Sequence, residues 1–105
     1  MDTRIFLDKL RMICSLDDIG RLQIKGEENT VDVVVDVHGM KCVQARRFLN
    51  NIIALMEGAF RVIVIHGYNH GTAIKDMLAD NFNNKHIMKR LSDPYNQGVT
   101  YLLCA

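Results

Sequence analysis

Tryptophan is absent from these 105 residues, proline occurs once, and no two cysteines stand as a CxxC pair. The three cysteines, Cys14, Cys42 and Cys104, are odd in number and far apart, which argues against both a disulfide framework and a zinc knuckle. A charge excess is lacking too: 13 Lys and Arg against 12 Asp and Glu leave +1, so no broad field advertises nucleic acid. Apolar runs such as Ile52 to Met56 stop at five residues, far short of a membrane span. The opening Met1-Asp2-Thr3-Arg4 has no charged-then-apolar signal layout, so a cytoplasmic location and no membrane partner are expected. What is present is ordinary for a small globular chain: 49% apolar and 24% charged residues exclude intrinsic disorder, and the length suits one domain.

Residues 1–30 read as a helical N-terminal extension and linker. Leu7, Leu10 and Cys14 keep helical spacing, Phe6 and Ile13 widen the apolar stripe, and the helix is expected to end near Ser15 to Asp18. Docking of that stripe on the core is the simpler expectation. A polar link, Lys25-Gly26-Glu27-Glu28-Asn29-Thr30, leads to a compact unit over 31–105. Val31 to Val37 reads as a strand, with Val31, Val33, Val35 and Val37 on one face and Asp32, Val34, Asp36 and His38 on the other. After Gly39 the period turns helical from Lys41 to Glu57, with Cys42, Ala45, Leu49, Ile52 and Met56 inward. Arg61 to Ile65 is a second strand, and Thr72 a plausible N-cap for a helix reaching Phe82. Short strands near His86–Leu91 and Val99–Cys104 close the chain around a turn at Ser92–Gly98. The order is β-α-β-α-β-β: an α/β chain built as a two-layer α+β sandwich with a mixed sheet.

A strand–helix–strand unit makes its strands parallel, which brings His38 and His66 to one carboxyl rim, where open α/β sheets bind ligands. Asp36 and His38 stand two residues apart on one strand face, a spacing that lets the carboxylate orient the imidazole for proton transfer near neutral pH. The plain reading of the same residues is a strand-end histidine capping a turn. His66-Gly67-Tyr68-Asn69-His70-Gly71-Thr72 joins a strand to a helix. Gly67 and Gly71 permit backbone angles closed to other residues, and Asn69 is expected to tolerate the left-handed region. Such a loop can aim amides at a phosphate at a helix start, or be only a tight turn. Asp36, His38, His66 and His70 could instead bind a metal, but the loop suits an anion better. No metal and no cofactor are therefore expected. Lys85, His86, Lys89 and Arg90 form a basic run without an acid, readable as a solvated surface or as a nucleic-acid contact.

Val35-Asp36-Val37-His38-Gly39-Met40, then Val64-Ile65-His66-Gly67 with Gly71, and a closing Gly98-Val99-Thr100-Tyr101-Leu102 together resemble the small MutS-related (Smr) domain over residues 31–105. Its hallmarks are an Asp-Leu-His-Gly motif and a His-Gly-x-Gly-x-Gly loop; here Val37 replaces the leucine and Asn69 the central glycine. The resemblance implies a fold like the C-terminal domain of translation initiation factor 3. It also implies nicking of DNA or endonucleolytic cutting of RNA, in some members on stalled ribosomes. Carried over by motif, Asp36 and His38 take the catalytic positions and His66, Gly67 and Gly71 the loop positions; in a metal-free scheme for RNA, His66 or His70 would be the catalytic acid that protonates the leaving oxygen. Gly39, Gly67, Asn69, His70, Gly71, Thr72 and Lys75 would hold phosphate, with Lys85, Lys89 and Arg90 as outlying contacts. The expected partner is RNA or structured DNA, RNA preferred, with the ribosome a further candidate and a monomer assumed. The alternative is a module that binds nucleic acid or the ribosome without cutting; a small phosphate-ligand domain is a third reading.

Overall fold

The computed structural model describes residues 2–27, 30–69 and 71–105. Helix α1 (Thr3–Arg11) begins where the Asp2 carboxylate accepts from the amides of Arg4 and Ile5, at 2.9 and 3.4 Å. This is the N-cap arrangement, contributing about 1 kcal/mol. The expected single helix to residues 15–18 is instead two. A short helix α2 (Leu16–Ile19) restarts at Ser15, whose hydroxyl accepts from the Asp18 amide at 3.1 Å. Phe6 is 2% exposed and Leu10 fully buried, so the stripe of α1 docks on the core, whereas Ile13 stays outside.

The polar link of the sequence reading is corrected by the structure. Leu22–Glu27 forms strand β1, antiparallel to β2 (Thr30–Asp36), with Lys25 opposite Asp32 and Gly26 opposite Val31. Residues 28 and 29 of that link lie outside the described residues. Helix α3 (Cys42–Leu55), strand β3 (Phe60–Ile65), helix α4 (Ala73–Asp80), and strands β4 (Ile87–Ser92) and β5 (Val99–Cys104) complete the chain. The sheet runs β1-β2-β3-β5-β4, with β2 and β3 parallel and the other neighbours antiparallel. This is the expected mixed sheet with one more edge strand.

Strand alternation sends Val33, Val35, Val62, Val64 and Leu102 into the core, where Phe48, Leu49, Ile52 and Ile53 of α3 and Leu78 of α4 meet them. Each such side chain contributes roughly 1.5–3 kcal/mol by leaving water. Cys104 shares this core, and burial pushes its thiol up to about 11, which leaves it protonated and inert at neutral pH. The opposite face, with Val34, Ile63, Ile65 and Tyr101, is only partly covered. Among the described residues no helix is long and apolar enough to cross a membrane.

Candidate active site at the carboxyl rim

Because β2 and β3 run parallel with Asp36 opposite Ile65, both strands end at one edge. The pairing continues one step further, the Val37 amide donating to the Ile65 carbonyl at 2.9 Å. The chain then turns sharply, the Met40 amide donating back to the Val37 carbonyl at 3.1 Å. Gly39 sits at the third turn position with φ +80°, the angle a type II turn asks of it and a β-carbon resists. The second motif lies alongside: a Cβ built on Gly67 would be 3.7 Å from the His38 Cβ.

Asp36 and His38 point to the open side of the sheet. The His38 Nδ1 is hydrogen-bonded to Asp36 Oδ1, and the same oxygen accepts from the His38 amide at 3.1 Å. With Nδ1–H donating to the carboxylate, Nε2 is left as the acceptor nitrogen. The imidazole is 66% exposed and the carboxylate 37%, so the pair is accessible to a large substrate. Arg21, between α2 and β1, closes this corner by donating from Nη1 to the His38 carbonyl at 3.0 Å and the Asp36 carbonyl at 3.4 Å. No sequence motif marks Arg21; the antiparallel pairing of β1 brings it here.

His66 is built differently. It is 7% exposed, its Nδ1 lies 2.8 Å from the Gly67 carbonyl, and its Nε2 lies 2.8 Å from Thr100 Oγ1. A carbonyl can only accept, so Nδ1 carries the hydrogen and the Thr100 hydroxyl donates to Nε2. Burial holds this ring below the ordinary histidine value; the nearby Lys75 charge pulls the same way, against the bond to Gly67. Both nitrogens are spent on the protein, a geometry for holding the loop rather than for passing a proton. Its sequence parity with Val62 and Val64 already points it inward, a signal that the motif alone does not give.

The loop after His66 rests on β5. The Gly98 carbonyl accepts from the amides of His66 and Gly67 at 2.9 and 3.1 Å, so those two amides are not available to an anion. Gly67 and Gly71 have φ of +72° and +112°. The tolerance of Asn69 for the left-handed region is not used: among the described residues only glycines have positive φ. An asparagine at this point of the loop therefore costs no backbone strain. Thr72 is the N-cap of α4 by position, but its hydroxyl donates to Asp76 at 2.9 Å instead of capping an amide. His70 lies outside the described residues.

His38, Gly39, His66, Gly67, Asn69 and Gly71 border a cleft of about 550 Å³, with Lys75 on its α4 wall. Met40, Tyr68 and Ile74, which the sequence reading did not single out, supply its apolar lining. A hollow of about 530 Å³ at the opposite end of the sheet, where Asp32 holds Arg61, contains none of these histidines. Among the described residues no three His, Cys, Asp or Glu side chains gather as a metal-ligand set.

The basic run is not brought to the cleft. Lys89 pairs with Leu103 and Arg90 with Leu102, at the end of β5 remote from the His66 rim. The two side chains leave opposite faces of β4, and Arg90 Nη2 donates to the Phe82 carbonyl beyond α4. Lys85 precedes β4 at the same remote end. Gly98 matters in another way: a Cβ there would lie 3.1 Å from Gly67 Cα and 3.3 Å from Tyr68 Cδ1. Gly98→Ala is expected to cost about 1–3 kcal/mol by overpacking, read as a lower urea midpoint, with the amide resonances of residues 66–69 shifted.

The two-layer sandwich and its paired strand-end turns define the architecture. Among solved structures it matches the Smr domain of Thermus thermophilus MutS2, with a TM-score of 0.56 and 19% identity, over 69% of this chain and 96% of that one. No family model and no curated protein matches the sequence. The chain thus has an Smr-like fold.

Proposed function

We propose that this protein is an endonuclease that cuts phosphodiester bonds in nucleic acid, with RNA preferred over DNA. One observation carries the reading: Asp36 fixes His38 through Nδ1 and leaves Nε2 as an accessible base beside a glycine-bounded cleft. On RNA, Nε2 takes the proton of a 2′-hydroxyl, whose oxygen attacks the neighbouring phosphorus. The 5′-oxygen departs and takes a proton from solvent in the open cleft. Lys75, together with the amides of Tyr68, Asn69 and Gly71, offsets the charge that develops on the phosphoryl oxygens. His66 sets the loop from beneath and is a positioning residue in this scheme. DNA has no 2′-hydroxyl, so water must attack, which favours RNA.

The scheme routes no step through a metal ion, and this separates it from the histidine-and-carboxylate metal reading. Labelled structured RNA and branched DNA incubated with the purified protein, with and without EDTA, test it. Cleavage of RNA that persists in EDTA is expected. Cleavage lost in EDTA returns the site to a metal, and binding without cleavage leaves a module that recognises nucleic acid or the ribosome.

A further inference from the structure

The Asp36–His38 pair stands between two depressions. One is the loop cleft. The other is a shallow groove of about 700 Å³ on the open sheet face, lined by Arg21, Gln23, Val34, Asp36, His38 and Ile65. His38 and Ile65 border both. A phosphodiester carries a nucleotide on each side, so a phosphate placed at His38 with one neighbour over the loop sends the other neighbour across this groove.

The groove has the chemistry to receive it. Val34 and Ile65 give a half-exposed apolar floor, and Arg21 stands at the border. The Arg21 guanidinium is anchored through Nη1 to the His38 and Asp36 carbonyls, and its backbone carbonyl accepts from the Asp36 amide at 2.8 Å. Among the described residues its Nε and Nη2 have no protein acceptor, so they remain as donors in a fixed fork. The acid that lines the groove, Asp36, already holds His38, and further along the same strand face Asp32 holds Arg61 through bonds of 3.0 and 2.8 Å. Among the described residues Arg21 is therefore a cation of the groove without a carboxylate partner.

We propose that this groove is a subsite for the nucleotide flanking the scissile phosphate, with its base or sugar on Val34 and Ile65 and its outer phosphate on Arg21. It rests on the nuclease reading and narrows the substrate to a single-stranded segment. A base held in a duplex stays stacked on its neighbours and cannot reach the floor, whereas an unpaired one can splay onto it.

The test is amide chemical-shift mapping of the full chain, titrated with a 2′-O-methyl RNA hexamer that cannot be cut. Shifts are expected at Gly67 and Gly71 and also at Gln23, Val34 and Ile65. Arg21→Ala is expected to weaken binding by about 3- to 10-fold and to remove the groove shifts while the loop shifts persist; Arg21→Lys restores part of the affinity. Val34→Glu blocks the floor with Arg21 in place, so the groove is tested even if Arg21→Ala does not fold. Shifts confined to the loop overturn the subsite and leave the nuclease reading standing. Shifts nowhere overturn both. Groove shifts without loop shifts, equal shifts with a duplex, or groove shifts that follow protein concentration alone each overturn the proposal, the last assigning the face to a second copy.

Discussion

His38→Ala is expected to slow RNA cleavage by about 10²- to 10⁴-fold, the range for losing a positioned general base. Stability is expected to stay within about 0.5 kcal/mol, because the ring is 66% exposed and, among the described residues, its side chain hydrogen-bonds only Asp36. Asp36→Asn is expected to cost as much, up to about 10⁴-fold: the imidazole remains, but an amide no longer selects the tautomer that leaves Nε2 as acceptor. Asp36 also receives the His38 amide, so a small loss of stability accompanies this change. Single-turnover rates on labelled RNA, taken beside thermal unfolding, separate the two effects. A His38→Ala protein cutting at the wild-type rate would remove the pair from the chemistry.

The second large effect concerns stability. His66→Leu leaves the Gly67 carbonyl and the Thr100 hydroxyl without their partner in a buried setting, at an expected cost of about 2–4 kcal/mol. Adding Thr100→Val removes one orphan and is expected to recover part of the loss, so a double-mutant cycle reports the coupling directly. The pH dependence has a definite sign. Burial holds the His66 value below that of an unfolded histidine, so between the two the unfolded chain binds more protons. Wild-type stability therefore falls as pH drops below about 6.5 and levels off once the folded-state value is passed. The leucine variant lacks this contribution, and the gap between the two proteins narrows with acidification. A gap that stays constant or widens from pH 7.5 to 5 would mean that His66 is not held neutral.

Much of the fold is readable because alternation and helical period are strong where an element has one wet face. Val31 to Val37 and Arg61 to Ile65 declare themselves in this way, and their parallel pairing follows from the intervening helix. Strand β1 does not, since an edge strand needs only Leu22 and Ile24 toward the core and leaves Gln23 and Lys25 to water. The Asp36–His38 pair is legible because both residues belong to one strand. His66 misleads because its partner Thr100 is 34 residues away, and the motif shows a histidine without showing which way it faces. Arg21 belongs to no pattern. Adjacency misleads in the opposite direction at Lys89 and Arg90, neighbours in sequence that a pleated strand sends to opposite faces.

β4 forms one margin of the sheet, with backbone donors and acceptors on its outer side facing water. Met88 and Leu91 are exposed along it and would make it an inviting template for another copy of the chain. Lys89 and Arg90 stand between them, and an ammonium group is costly to bury against a like-charged twin. A cationic run along an open strand margin opposes edge-to-edge pairing, so the charges far from the rim have a physical use at the place where the sheet is left unfinished.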